Sequence, residues 1–142
     1  MGAEIVDHGW KKIQQNIKTL QKTDIKVGLI GGKADGHVIE YAGYNEFGTS
    51  RIKPRPFMRQ TFEENESRMS AAIGAAYASI QGGASVYPEV NKIGLLYKGL
   101  IQRMIGSNMP PGLKPKTIAR KGSSKSLIDT GRMRQSIDFE VK

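Results

Sequence analysis

The chain has 142 residues and contains no cysteine, only two histidines and a single tryptophan. Without cysteine it can form no disulfide bond, no thiolate zinc site and no cysteine nucleophile. His8 and His37 have no metal-ligand spacing, so we interpret them as surface or loop residues. No run of about 18 apolar residues occurs, so we expect no membrane-spanning helix and no membrane partner. Glu4 and Asp7 interrupt any signal-peptide pattern, which predicts synthesis in a reducing cytoplasm.

The patterns that indicate enzyme chemistry are incomplete in this sequence. A phosphate-binding loop ending at Gly32-Lys33 would need glycine at position 27 and serine or threonine at position 34. The chain has Val27 and Ala34 there. The three acids within 63–66 are interpreted as a solvated helix face, since acids near a helix start are favourable. We therefore expect no catalytic residue, no cofactor and no metal.

Positive charge is abundant: the net charge is +9 and the pI is about 9.9. Two stretches, 51–59 and 108–126, carry basic residues and no acid. One interpretation is a solvated basic surface, and the other is a polyanionic partner, either DNA or an acidic protein surface. Neither stretch has base-reading geometry, so any DNA contact should be sequence-independent and strongly salt-dependent.

Apolar residues recur at helical spacing in several stretches. Asp7 is placed to cap the first helix, and Gly48 suits the position just past the second. Val86–Pro88 is interpreted as a connector. Gly94 and Gly99 lie inside the last pattern, where they would allow close approach by another helix. The predicted helices cover residues 10–20, 38–47, 57–80 and 90–105.

Apolar and polar residues alternate near 24–30 and again near 136–141, which predicts two strands. An isolated strand pair is only marginally stable, so we expect these strands to pair with each other beneath helices. The predicted fold class is α+β: a small antiparallel sheet packed against three to four helices. We expect a single domain over 1–142 with a flexible basic loop at about 107–126. Further strands would come from Ser85–Tyr87 and that loop, or a neighbouring subunit would complete the sheet edges.

The stretch from Ala42 to Met58 joins two predicted helices through a glycine and two prolines. Phe47 is placed on the apolar side of the first helix. Glu46 can form an ion pair with Arg51 or Arg55 that fixes the loop. An ion pair between subunits and a catalytic role are the two other interpretations of this carboxylate.

Two motifs carry a resemblance. The first reads Asn-Glu-Phe-Gly-Thr at 45–49 and continues as Arg-Pro-Phe at 55–57. The second reads Thr-Ile-Ala-Arg-Lys at 117–121 and Leu-Ile-Asp-Thr-Gly-Arg-Met at 127–133. Together, in this order and spacing, they resemble the signatures of tail-completion, or head–tail joining (neck), proteins of tailed bacteriophages.

The resemblance implies an α+β structural protein of the virion, without enzymatic activity, made in the host cytoplasm. It implies a homo-oligomeric ring, with a hexamer as the expected size, at the head–tail interface. The implied partners are head-side connector or adaptor proteins and tail-terminator or tail-tube proteins, with non-specific contact to DNA in the channel. A tail terminator or a minor tail protein is the nearest alternative. A non-specific DNA-binding protein is the alternative of another class.

The residues expected to dock on neighbouring subunits or partners follow from the motifs and the basic stretches. On this interpretation, Arg55→Glu or Phe57→Ala should block incorporation into particles more than it destabilises the subunit. Asp129 or Thr130 should cap a short turn that leads into the last strand. The docking residues are Glu46, Phe47, Gly48, Thr49, Arg51, Lys53, Arg55, Pro56, Phe57, Lys114, Lys116, Arg120, Lys121, Asp129, Thr130 and Gly131.

Overall fold

The computed structural model describes residues 2–3, 6–107, 117, 119–120 and 131–142. Within these ranges the chain has the α+β fold that the sequence predicts. No helix in the described ranges is long and apolar enough to cross a membrane. The elements are α1 (Trp10–Gln21), β1 (Ile25–Gly28), α2 (Gly36–Phe47), α3 (Phe57–Glu64), α4 (Glu66–Gln81), α5 (Val86–Gly106), α6 (Arg132–Gln135) and β2 (Asp138–Val141).

The two strands lie near opposite ends of the chain and pair with each other in antiparallel register. Ile25 lies opposite Val141, and Val27 lies opposite Phe139. Ile25 and Val141 pack against an apolar cluster that α4 and α5 contribute. The predicted pairing is therefore confirmed, and helices cover the apolar face of the sheet because two strands alone bury too little surface.

Helix α5 is the central element, since it packs against both strands and against α3, α4 and α6. Gly94 lies where α5 meets the sheet. A Cβ atom built on Gly94 would stand 2.3 Å from Cδ2 of Phe139. The glycine does permit a close approach, but the neighbour is an aromatic ring of β2 and not a helix. A Cβ atom built on Gly99 would meet no atom of another element within 4 Å.

The largest buried cluster joins α2, α3, α5, α6 and the residue that precedes β2. Ile101, Ile105 and Ile137 are completely buried there. Val27 and Leu29 from the β1 region and Met58 from α3 pack against it without being fully buried. The buried members are Val38, Ala42, Phe57, Ile101, Ile105, Met133 and Ile137.

The long helix predicted over 57–80 is wrong in one respect, because the chain forms two helices with a break at Asn65. Asn65 Nδ2 donates a hydrogen bond of 2.8 Å to the carbonyl oxygen of Thr61. An asparagine side chain that bonds nearby backbone offers the chain an alternative to helix continuation. The apolar periodicity does not reveal this break because it continues on both sides.

The connector predicted at Val86–Pro88 is also wrong, because α5 begins at Val86. Ser85 is the N-cap residue, and Pro88 lies in the first helical turn. Proline is tolerated there since the first N–H groups of a helix have no intrahelical partner. The same observation excludes Ser85–Tyr87 as an additional strand.

Helix α1 forms as predicted, but its apolar stripe is largely exposed. Asp7 Oδ1 accepts a hydrogen bond of 2.6 Å from the backbone N–H of Trp10, in agreement with the predicted cap. Trp10 is 62% exposed and Ile17 is also exposed. Leu20, at the other end of the helix, packs against the core. The helical pattern was therefore a correct guide to secondary structure and a poor guide to burial.

Charged side chains gather on the sheet surface. Lys33 and Lys98 lie 3.5 and 3.3 Å from the Asp138 carboxylate. A hydrogen bond from the backbone N–H of Phe139, aided by the two lysines, holds the pKa of Asp138 below its usual value. These partly exposed ion pairs contribute little to stability.

Candidate docking loop

The candidate site is the connection between α2 and α3, residues 45–59, which we call the docking loop. It begins where α2 ends. Gly48 caps α2 with φ at 76°, in the left-handed region, and its N–H donates 2.9 Å to the carbonyl oxygen of Tyr44. A Cβ at this position would stand 2.9 Å from Pro54 Cδ and 3.0 Å from the carbonyl oxygen of Ile52. Both the backbone angle and the close packing therefore require glycine.

The next turn is organised by Thr49. Its Oγ1 accepts hydrogen bonds from the backbone N–H groups of Arg51 and Ile52, at 3.2 and 3.0 Å. Its own N–H donates 2.8 Å to the carbonyl oxygen of Ile52. A threonine hydroxyl that satisfies two amides fixes a short turn. Thr49 therefore shapes the loop from within.

Asn45 ties the two sides of the loop together. Its side chain is buried, and Nδ2 donates 2.9 Å to the carbonyl oxygen of Tyr41. Its carbonyl oxygen accepts from the backbone N–H of Arg55 at 2.5 Å. The Arg55 side chain is only 8% exposed and lies within the protein. Asn45 was not among the predicted docking residues, and its buried amide gives it a structural role in this loop.

Glu46 caps the next helix. Its two carboxylate oxygens accept hydrogen bonds from the backbone N–H groups of Met58 and Arg59, at 2.9 and 3.0 Å. These N–H groups belong to the first turn of α3. No carbonyl group within the helix can accept their hydrogen bonds. A negative charge at a helix start is also favoured by the helix dipole. In the described part of the chain no ion pair joins Glu46 and Arg51. Glu46 fixes the loop by accepting hydrogen bonds from backbone N–H groups.

Phe57 anchors the far end of the loop in the core. Pro56 is the N-cap residue of α3 and Phe57 is its first helical residue, as predicted for a proline-led helix start. Phe57 is 1% exposed and belongs to the largest apolar cluster. Thr61 Oγ1 donates 2.6 Å to the Phe57 carbonyl oxygen. A buried phenylalanine at this point fixes where α3 begins.

Two predicted docking residues therefore need correction. The buried Phe57 and Arg55 side chains contact their own chain, and they cannot meet a partner without the loop opening. Incorporation was expected to suffer more than subunit stability from Arg55→Glu or Phe57→Ala, but the burial of both residues predicts a large loss of stability. The motif pattern did not distinguish these residues from exposed ones, because it records which residues occur and not where they point.

A second group of loop residues points outward. Phe47 is 84% exposed, although the helical pattern placed it on the apolar side of α2. Arg51 and Lys53 are also exposed. We call Phe47, Arg51 and Lys53 the outer set. Asn45, Glu46, Gly48 and Phe57 form the inner set, which holds the loop in shape.

The part of the second motif that is described packs near the same core. Gly131 is the N-cap of α6 with φ at 74°, and Met133 lies in the cluster that contains Phe57. Arg132 forms an ion pair of 3.5 Å with Asp35, at the start of α2. Arg120 is exposed. The remaining predicted docking residues lie outside the described residues: Lys114, Lys116, Lys121, Asp129 and Thr130.

Two acidic residues of α3 have partners on the same helix. Arg59 Nε lies 3.8 Å from the Glu63 carboxylate, and Gln60 Nε2 donates 2.5 Å to Glu64. In the described ranges no group of three metal-ligating side chains is close enough to hold a metal ion. A solvated acidic helix face accounts for these residues.

Comparison of this chain with models of protein families, with curated proteins and with solved structures finds no match. The function must therefore be argued from the motifs and from the geometry of the docking loop.

Proposed function

We propose that this protein is a structural subunit of a tailed-bacteriophage virion, a neck or tail-completion protein that forms a ring joining head and tail. The observation that carries the proposal is the Asn-Glu-Phe-Gly-Thr…Arg-Pro-Phe motif at 45–57, with the second motif following at 117–133. On this proposal the protein is not an enzyme and needs no cofactor.

The geometry of the docking loop supports this proposal. The inner set and Thr49 make a tightly bonded loop, in which the Glu46 carboxylate, the Thr49 hydroxyl and the buried Asn45 amide satisfy backbone groups. The outer set then presents an exposed aromatic ring and two cations on that rigid support. Exposed aromatic and arginine side chains on a fixed loop are the usual anchors of protein–protein interfaces. Rigid loops bind with less loss of conformational freedom.

The proposed partners are further copies of this chain, in a ring of six, and the proteins on either side of the joint. These are head-side connector or adaptor proteins and tail-terminator or tail-tube proteins. A position as tail terminator or minor tail protein is the nearest variant of the proposal. In each case the protein is made in the host cytoplasm and ends in the virion.

Electron microscopy of a lysate from a phage with a nonsense mutation in this gene tests the proposal. Filled heads beside complete but unattached tails are the expected result. Tails of uncontrolled length would instead assign the protein to tail termination. Normal, infectious particles would overturn the structural role altogether. Complementation with the intact gene is the control, and it should restore joined particles.

Non-specific DNA binding is the second candidate, favoured by the net charge of +9. Binding of purified protein to duplex DNA of unrelated sequences should then be equal among sequences. It should weaken steeply between 50 and 200 mM salt, by roughly 10³-fold or more if six or more phosphates are contacted. Strong binding of this kind, together with normal particles from the nonsense mutant, would put this candidate first.

A further inference from the structure

A second exposed apolar surface lies at the other end of α3. It is a shallow hollow lined by Phe62, Met69, Ile73 and Tyr97. The rings of Phe62 and Tyr97 are tilted against each other with their centroids 5.0 Å apart. Burial raises the pKa of the Tyr97 hydroxyl, in keeping with the apolar surroundings of the ring. No sequence pattern indicates this surface, because its members come from three different helices.

Acidic side chains border this hollow. Glu63 and Glu66 contribute to its lining, and both are exposed. The ion pair of Glu63 with Arg59 is long, at 3.8 Å, and both side chains are 68% exposed, so the carboxylate is open to a better partner. We call the surface formed by Phe62, Ile73, Tyr97, Glu63 and Glu66 the acidic hollow.

The outer set and the acidic hollow are complementary. The first combines a protruding aromatic ring with two cations, and the second combines an apolar depression with two carboxylates. Phe47 does not fill the hollow of its own chain, because its side chain is almost fully exposed. We infer that the outer set of one copy docks into the acidic hollow of a second copy. The inference deepens the proposed function and rests on it for the ring in which this contact would serve.

The contact would join two different surfaces of the same chain. Such a head-to-tail arrangement generates a closed ring or an open filament, according to the rotation between neighbours. The two surfaces lie at opposite ends of α3, which is eight residues long and therefore spans about 12 Å. The chain thus carries both halves of a repeating contact.

A single contact of this kind should be weak. An aromatic side chain buries about 150–250 Å², whereas a stable interface buries about 1,200–2,000 Å² in total. Phe47 would serve as the anchor, with the cations setting orientation and rate of encounter. Closure of a ring makes each contact intramolecular and so raises the overall stability of the assembly.

The absence of native cysteine allows a direct test by cross-linking. The variant Ser50→Cys, Ser70→Cys places one thiol beside the outer set and one in the lining of the hollow, and it keeps Phe47 in place. Treatment of this full-length protein with a short bis-maleimide should give a ladder of covalent oligomers on denaturing gels. Each single variant should give no species beyond a dimer, because it lacks the second thiol. A double variant that gives no ladder, either in concentrated solution or in purified particles, would overturn the inference.

Charge exchange tests the same contact without a cross-linker. Arg51→Glu, Lys53→Glu makes both surfaces acidic, and Glu63→Lys, Glu66→Lys makes both basic. Each variant alone should raise the apparent dissociation constant for self-association about 10- to 100-fold in sedimentation velocity. An equal mixture should recover association, because each surface then meets its opposite. Variants that associate as the parent does, or a mixture that fails to recover, would argue against the contact.

A matched control separates this contact from a general charge effect. Lys18→Glu, Lys22→Glu changes the net charge by the same amount as Arg51→Glu, Lys53→Glu. These lysines flank Leu20, which packs at the far end of α4 from the hollow. This control should associate as the parent does. If it weakens association as much as the loop variant, the contact is not specific and the inference fails.

Failure of this inference can be told apart from failure of the proposed function. Unattached heads and tails from the nonsense mutant, with no ladder from the double-cysteine variant, would keep the function and reject this contact. A loss of DNA binding from Arg51→Glu, Lys53→Glu with unchanged self-association would show that nucleic acid occupies the outer set instead. Normal particles from the nonsense mutant would reject the proposed function whatever the ladder shows.

Discussion

Phe57 and Phe47 lie ten residues apart in the docking loop, and they have opposite surroundings. Phe57 is enclosed by the largest apolar cluster, and Phe47 is the most exposed large apolar side chain of the described residues. The residues of the outer set are all exposed, whereas those of the inner set are buried or half-buried. A short motif can therefore contain two kinds of residue: those that hold a loop in shape and those whose side chains the loop exposes to solvent. Only the first group should affect the stability of the isolated subunit.

The largest effect on stability is expected from Phe57→Ala. The change removes a buried ring and leaves a cavity that the surrounding isoleucines cannot fully close. The free energy of unfolding should fall by about 3–5 kcal/mol. Urea unfolding followed by circular dichroism measures this loss. A loss below about 1 kcal/mol would mean that Phe57 does not belong to the core, and the comparison between the two sets would break.

Gly48→Ala should have the next largest effect. The positive φ and the contacts with Pro54 and Ile52 leave no room for a methyl group. We expect a loss of about 1–3 kcal/mol in the free energy of unfolding. Gly43→Ala is the matched control, since Gly43 lies in α2 with open space around it. That control should be neutral or stabilise the helix by up to about 1 kcal/mol.

Glu46→Gln tests the inner set without changing its shape. The substitution removes the negative charge and one of the two oxygen atoms that accept hydrogen bonds. The amide retains one acceptor oxygen, so one of the two α3 amides loses its partner and the helix start loses a negative charge. The expected cost is about 0.5–2 kcal/mol. Glu63→Gln, on the exposed face of the same helix, should cost less than about 0.5 kcal/mol. Equal thermal shifts in the two variants would contradict the capping role.

Phe47→Ala should have the smallest effect on stability. The side chain makes so little contact with its own chain that unfolding should change by less than about 0.5 kcal/mol. The same variant should weaken self-association by roughly tenfold or more, because it removes the proposed anchor. Leu95→Ala removes another exposed apolar side chain, on α5, and should leave association unchanged. A destabilisation of Phe47→Ala that approaches that of Phe57→Ala would erase the distinction between the sets.

Much of the local structure follows from the sequence. Helical periodicity located α1, α2 and the body of α5, and the alternation at both ends located the two strands. Gly48 and Pro56 marked the end of one helix and the start of the next, since each has a conformational property that suits only that position. The break at Asn65 was missed, because it depends on a side-chain hydrogen bond that competes with the helix and leaves the apolar pattern intact.

The candidate site was less predictable than the fold. The motif identified the docking loop but grouped the buried Phe57 and Arg55 with the exposed Phe47. Glu46 was expected to pair with a cation, whereas it accepts hydrogen bonds from backbone N–H groups of a helix that begins eleven residues later. The acidic hollow has no sequence signal at all, since its members are contributed by α3, α4 and α5.

By itself the sequence determined most elements of secondary structure, the excess of positive charge and the motif on which the proposed function rests. These properties are local, because periodicity, glycine, proline and charge act within a few residues of the chain. The tertiary structure decided which apolar side chains are enclosed, which carboxylate caps a helix and which aromatic ring is left outside. Those outcomes depend on contacts between distant segments. Phenylalanine is a core residue at position 57, where side chains from other helices enclose the ring, and an exposed residue at position 47, where they do not.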